Sequence, residues 1–348
     1  MPRHDDAGPV DLPLGKIIGK RWKIVDKVGE GGCGAVFLVE DYKNGSKAAM
    51  KAESNYVAGG SVLKLEVQVL KRMSGRKYVA QLIAAGKKEK YSYMVMTLFG
   101  PSLSRLFKQC KKQFSVSTQI RLGVQILYGL KQLHEVGYVH RDIKPANLAI
   151  GRRGKEARIL HLLDFGLSRE FVLRTNGKIE MRRARENCLF RGTTKYCSIR
   201  THERAEQGRS DDLIDKHEIG RMKSSTDPEK LLADSPREFI KIFEHLNETK
   251  YDQRPDYLMI YKVFTSLLQK KGIKFGDPYD WENLPGYQQP SSVMEDKKKV
   301  QTINEDVSIE KTVSKETTQK TDRSEETNDK DWPNLFPPEE FGKNELGF

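Results

Sequence analysis

An α/β fold, rich in strands first and in helices afterwards, is predicted by three observations. Short apolar runs bounded by turn residues fill the chain before residue 97, with one helical stretch among them. Longer stretches follow in which apolar residues recur three and four apart. Beyond Gln288 the periodicity stops and Ser, Thr, Glu and Lys dominate, a composition that predicts a disordered tail.

The elements can be justified in order. Met1 to Gly19 is punctuated by Pro and Gly and reads as a mobile lead-in. Trp22 to Val28 begins a strand, and Gly29-Glu-Gly31-Gly32-Cys33-Gly34 turns it into the apolar run Val36 to Val39. A dinucleotide-binding fold would continue these glycines into a helix, whereas here a second strand follows. Asn44-Gly45 predicts a two-residue hairpin turn into the strand Ala48 to Lys51. Leu63, Val67 and Leu70 place an apolar stripe on a helix over 61–73, with Glu66 beside it. Strands over 79–85 and 91–96 complete the first part. Ile120, Val124, Leu127 and Leu130 then describe a long core helix over 117–136, stopped by Gly137. Two further helices are predicted at 236–248 and 256–271, and Trp281 is the last apolar residue assigned to the core.

With 348 residues the chain can bury a large core as one large domain or two ordinary ones. A hydrophobic content of 37% and a mean hydropathy of −0.65 leave no run able to span a bilayer. Met1 to Asp11 also lacks the apolar segment of a signal peptide. A soluble monomer of the cytoplasm is expected, with the nucleus also open to it. The four cysteines, Cys33, Cys110, Cys188 and Cys197, lack metal-ligand pairing and are expected as thiols. The net charge of +13 is uneven: 288–348 holds 9 basic and 14 acidic residues, which leaves +18 on the remainder. Such a field attracts acidic or phosphate-bearing partners. Nucleic acid is disfavoured, because no aromatic residues alternate with the Lys and Arg.

The chemistry concentrates in Val139-His140-Arg141-Asp142-Ile-Lys144-Pro-Ala-Asn147, followed by Asp164-Phe165-Gly166. This pair of strings resembles the protein-kinase catalytic core, a two-lobed fold with a small β-rich lobe and a larger helical one. The resemblance implies transfer of the ATP γ-phosphate to protein Ser or Thr. Asp142 would be the base, Lys144 would meet the transferring phosphate, and Asn147 and Asp164 would hold magnesium. Lys51 falls where kinases place the lysine that pairs the phosphates, and Glu66 would pair it. Gly29, Gly31, Gly34 and Val36 would cover the nucleotide. Thr97 to Gly100 resembles the hinge that meets adenine, with Met96 behind the pocket and Leu98 against the base.

Within the family the likeness narrows. Ser198-Ile199-Arg200 stands where the casein kinase 1 group has Ser-Ile-Asn, and Ala-Pro-Glu is missing. The Arg191-Gly192-Thr193 string, the Arg182-Arg183-Ala184-Arg185 stretch and Gly208 to Leu213 look most like the tau-tubulin kinase branch. By analogy Arg185, with Arg182 and Arg183, would bind an anion, so acidic or pre-phosphorylated substrates are expected. The resemblance implies a flexible 1–18, a small lobe at 19–97, a large lobe at 98–282 and a tail at 283–348.

One departure matters for function. The family continues from Asp212-Leu213 into a long apolar helix, the pillar of the large lobe, whereas this chain runs directly to Ile214-Asp215-Lys216. About 20 residues, five or six turns, are missing. Asp212, which in the family ties down the His140-Arg141 backbone, would lose its support. A kinase-like binding protein with impaired catalysis is therefore the rival expectation. Trp332 to Phe341 reads as a stray aromatic cluster or a short docking motif.

Overall fold

The computed structural model describes residues 10–31, 34–57, 60–213, 236–285, 287 and 335–348. Its first lobe is a six-stranded antiparallel sheet in the order β1-β2-β3-β4-β6-β5. The strands are β1 (Ile17–Ile18), β2 (Trp22–Gly31), β3 (Gly34–Asp41), β4 (Lys47–Ser54), β5 (Leu82–Lys87) and β6 (Tyr91–Met96). β3 shows why the sequence folds this way: Ala35, Phe37 and Val39 alternate inward and are fully buried with Trp22, Ile24, Met50 and Val95. Leu12 and Ile18 join that cluster, so the described part of the lead-in packs on the sheet. The β3–β4 hairpin exists, but its connection runs from 42 to 46 and not through a two-residue turn. Asp41 closes it, its carbonyl taking the Gly45 amide and its own amide reaching Ser46.

Helix α1 (Val62–Arg72) crosses this sheet. Ser61 caps it, accepting the Lys64 amide, and the buried Glu53 carboxylate accepts Val62 N–H at 3.0 Å. Its inward face carries Leu63, Glu66, Val69 and Leu70. The apolar members join a core that continues through Met94 into the second lobe at Leu130, Leu148 and Phe165.

The second lobe is helical, as the periodicity predicts. α2 (Leu103–Gln109) leads to α3 (Val116–Glu135), which is almost wholly buried, and Gly137 at φ +92° follows as the expected stop. Short strands β7 (Tyr138–Val139), β8 (Leu148–Ile150), β9 (Leu160–Leu162) and β10 (Arg169–Glu170) frame the Asp142 and Asp164 loops. A hairpin of β11 (Val172–Thr175) and β12 (Lys178–Met181) turns at Asn176-Gly177, both at positive φ. α4 (Ile199–His202) and α5 (Arg209–Leu213) precede the undescribed stretch 214–235. α6 (Glu238–Glu248) and α7 (Tyr257–Lys270) match the predicted helices, with Asp256 capping α7 through the Met259 amide.

Trp281 is fully buried, but it is not the last core residue. Phe336 and Phe341, flanking and within α8 (Pro338–Gly342), are buried against Tyr128, Tyr257 and Ile260. The aromatic cluster at 332–341 is thus a core element where it is described. At the start of the predicted tail, 283–348, Leu284 and Tyr287 also pack partly buried on the core, while 286 and 288–334 lie outside the described residues. Each buried aromatic of this kind contributes about 1.5–3 kcal/mol, which gives the segment a reason to dock.

Candidate active site

β4 presents Lys51 inward from the sheet, and α1 brings Glu66 opposite it. The two form a direct ion pair, both side chains nearly fully buried. Lys51 Nζ also lies 3.2 Å from Asp164 Oδ1, so one ammonium joins the sheet, α1 and the loop after β9. Burial pushes the Glu66 carboxyl up to about 7, with the Lys51 charge pulling the other way. For Asp164 burial also acts upward, but Lys51 outweighs it and leaves the carboxyl below its ordinary value. Asp164 sits at φ +62°, a left-handed turn that aims its carboxylate back toward Lys51. Gly166 follows because a Cβ there would meet Val62 at 2.3 Å.

The loop after β7 carries the second half of the site. Asp142 Oδ2 accepts Lys144 Nζ at 2.7 Å and Asn147 Nδ2 at 3.2 Å. Its Oδ1 accepts both the amide and the hydroxyl of Thr193, at 2.9 and 2.8 Å. The Thr193 hydroxyl also takes Lys144 Nζ at 2.8 Å. Thr193 is a site residue that the motif reading missed, having entered it only as part of a branch signature. Gly192, at φ +110°, lets that segment pass the Arg141 carbonyl, which a Cβ would meet at 2.6 Å.

The loop itself is tied down from below. Asp212 Oδ2 accepts His140 N–H at 2.6 Å and Oδ1 accepts Arg141 N–H at 2.8 Å. The expected loss of this support therefore does not occur. Asp212 is carried on α5, with Gly208 N–H donating to Asp211 at 2.7 Å and His134 Nε2 3.0 Å from Asp212. Burial holds His134 and His140 below the ordinary imidazole range, and it lowers the Arg141 guanidinium to about 10.

The remaining residues named from the sequence lie on the sheet, in the segment between the lobes and in the stretch after β12. Val36 faces Lys51 across β3 and β4, and Met96 ends β6 opposite Ala49. Leu98 lies in the segment joining the lobes, where Gly100 N–H donates to Ile150 at 2.9 Å. Gly34 has a structural duty: a Cβ would collide with the Ala52 carbonyl at 2.2 Å. Gly29 and Gly31 have open space where a Cβ would project. Arg185 forms a two-pronged pair with Glu206, at 2.5 and 3.0 Å, and Arg169 reaches the same carboxylate at 3.2 Å. An anion at Arg185 would have to exchange with Glu206. Arg182 donates to the Val172 carbonyl. Cys110 and Cys188 are free thiols, Cys197 directs its thiol to the Thr193 carbonyl, and Cys33 lies outside the described residues.

The donor chemistry suits a hard cation held mainly by phosphates. Asn147 spends its amide protons on Asp142, which leaves the carbonyl oxygen as an available acceptor, and Asp164 adds carboxylate oxygens. Among the described residues no cluster of three or more His, Cys, Asp or Glu forms a closed metal cage. The oxygen donors of Asn147 and Asp164 are of the kind magnesium takes, which keeps waters and phosphate oxygens in its shell.

A carboxylate poised with a lysine, a buried Lys–Glu pair and the oxygen donors of Asn147 and Asp164 are the groups a phosphotransferase of the two-lobed class requires. The protein kinase domain family matches residues 22–213, ending at the last described residue of α5. A Caenorhabditis elegans protein carrying the name serine/threonine-protein kinase K06H7.1 is 43% identical over 298 residues, 80% of this chain and 86% of that one. A Dictyostelium discoideum protein, also named as a serine/threonine-protein kinase, is 36% identical over 294 residues, 78% of this chain and 59% of its own. The chain belongs to the protein kinase family and is a serine/threonine protein kinase that transfers the ATP γ-phosphate to protein.

Proposed function

We propose that this kinase belongs to the casein kinase 1 group, nearest the tau-tubulin kinase branch, and phosphorylates acidic or pre-phosphorylated proteins with ATP and magnesium. The branch reading rests on Ser198-Ile199 and the Arg191-Gly192-Thr193 string. The substrate reading rests on the basic domain, whose +18 lies outside 288–348. Asp142 accepts the proton of the incoming hydroxyl while Lys144, shared with Thr193, neutralises charge on the transferring phosphate. Lys51, fixed by Glu66, meets the nonreacting phosphates. Asn147 and Asp164 would hold magnesium, which screens the phosphate charge when bound. The rival reading, a binding protein without catalysis, gains no support from this geometry. We further take the kinase to act as a cytoplasmic monomer.

The observation that carries the mechanism is the convergence of Lys144 and Thr193 on Asp142. The nucleotide reading is tested by thermal shift with saturating ATP and magnesium. Wild type is expected to be stabilised, and Lys51→Ala and Asp164→Asn are expected to lose the effect. A folded wild type indifferent to ATP and magnesium would remove the nucleotide assignment. The substrate reading is tested by Arg185→Glu, expected to impair pre-phosphorylated peptides more than unmodified ones. Equal impairment would reduce Arg185 to the structural partner of Glu206.

A further inference from the structure

Residues 335–348 lie across the main helices of the larger lobe and end beside the catalytic loop. Phe341 stacks on Tyr261 of α7, ring centroids 4.2 Å apart, and meets Tyr128 of α3 edge-on at 5.7 Å. Phe336 sits 5.3 Å from both Tyr78 and Tyr128. After α8 the contacts become polar and involve the backbone. Arg254 donates to the Lys343 carbonyl, the Glu345 amide donates to Glu135 Oε2 at 2.6 Å, and Arg76 holds the Glu345 carboxylate. Arg209 Nη1 reaches the Phe348 carbonyl oxygen at 3.1 Å. Leu346 and Phe348 then rest on Val139, Phe171 and Val172.

These anchors converge on the catalytic loop by short routes. Val139 directly precedes His140. Glu135, which takes the Glu345 amide, also pairs with Arg254 at 3.0 Å, and Arg254 lies over the Tyr257 ring. The Tyr257 hydroxyl is 2.6 Å from His134 Nδ1, whose other nitrogen faces Asp212. Arg209 stands on α5 three residues before Asp212, which holds the His140 and Arg141 amides. Backbone-to-side-chain bonds of this kind fix register as well as packing, because an apolar contact alone tolerates sliding.

We propose that residues 335–348 form a strap that positions the catalytic loop, and that phosphate passes from ATP to the substrate hydroxyl at full rate only with the strap seated and Asp142 thereby held in place. The strap reaches no reacting atom. It acts through Glu135, Arg254 and Arg209 on Asp212, and through Val139 on His140. This rests on the kinase activity above, and its test separates the two.

The experiment compares the full chain, a chain ending at residue 334, Phe341→Ala and the bulk-preserving Phe341→Leu. Deuterium uptake at the His140 and Arg141 amides is one readout. Turnover with ATP and a protein substrate, per folded molecule, is the other. In the shortened chain the two amides should exchange at least about tenfold faster. Its kcat should fall about tenfold or more, with the KM for ATP within about twofold. A synthetic 335–348 peptide should restore both in a saturable manner, and Phe341→Leu should retain what Phe341→Ala loses. Unchanged uptake and kcat in the shortened chain would overturn the proposal. So would a lower melting temperature with uptake and kcat unchanged, since the segment would then stabilise without positioning. Should the shortened chain fail to melt cooperatively, Phe341→Ala is judged by the same criteria. A full-length chain without phosphate transfer would count against the kinase mechanism, while the uptake comparison would still decide the strap.

Discussion

The Thr193 hydroxyl lies 2.8 Å from Asp142 Oδ1, across 51 residues of chain. With the Thr193 amide on the same oxygen, it locks the carboxylate in one rotamer and leaves Lys144 shared between the two side chains. A hydrogen bond to a charged group is worth about 1.5–3 kcal/mol, roughly a ten- to hundredfold effect when it orients a reacting group. Thr193→Ala is accordingly expected to lower kcat by that factor. Thr193→Ser, which keeps the hydroxyl, should remain near wild type. Steady-state kinetics on a protein substrate measures both, and equal rates for the two variants would leave Thr193 without a role in orientation.

Lys51 and Glu66 make a buried pair whose members depend on one another. Removing one partner of such a pair costs about 3–5 kcal/mol, because the other is left buried and uncompensated. Lys51→Ala should therefore lower the melting temperature as well as activity. The double change Lys51→Met with Glu66→Leu should recover stability but not turnover. Calorimetry beside the kinase assay distinguishes these effects. A Lys51→Ala protein as stable as wild type would mean that water reaches Glu66.

The two buried histidines set a pH limit. Burial holds His134 and His140 below their unfolded value of about 6.5, so below that pH the unfolded chain binds protons that the fold refuses. Their contribution is complete above about 6.5 and is lost as the pH falls through it. Glu66 acts in the opposite sense: its carboxyl is raised to about 7, so its cost to the fold grows as pH rises from its ordinary value toward 7. Melting curves from pH 8 to 5 should show stability falling on the acid side, with a shallower fall in His134→Gln. Identical slopes would show that His134 does not titrate on unfolding.

Much of this was legible in the sequence where local periodicity or spacing carries the information. Tyr91–Met96, α3 and α7 fall at or within a residue of where the periodicity puts them. Lys51 touches Glu66 and Asp164, and Asp142 touches Lys144 and Asn147, two groups whose members the motifs named. Thr193 was harder, because nothing near it in sequence marks its approach to Asp142. The β11–β12 hairpin had a readable signal in Asn176-Gly177, a dipeptide suited to paired positive φ. Phe336 and Phe341 were misjudged for a physical reason. Their partners, Tyr78, Tyr128 and Tyr261, lie far away in sequence, and a few aromatics among charged residues show no period of their own. For Asp212 the sequence shows the shortened chain after Leu213 but not the buried His134 and the His140 and Arg141 amides that its carboxylate meets from far away in sequence.

The most direct test of the account is the initial rate of phosphate transfer from ATP to serine or threonine of an acidic protein such as casein, in magnesium, by the full chain and by Asp142→Asn. The expected result is measurable wild-type incorporation that falls at least about a hundredfold in Asp142→Asn, with ATP binding retained in both. Incorporation unaffected by Asp142→Asn, or none from a wild type that binds ATP and magnesium, would contradict it.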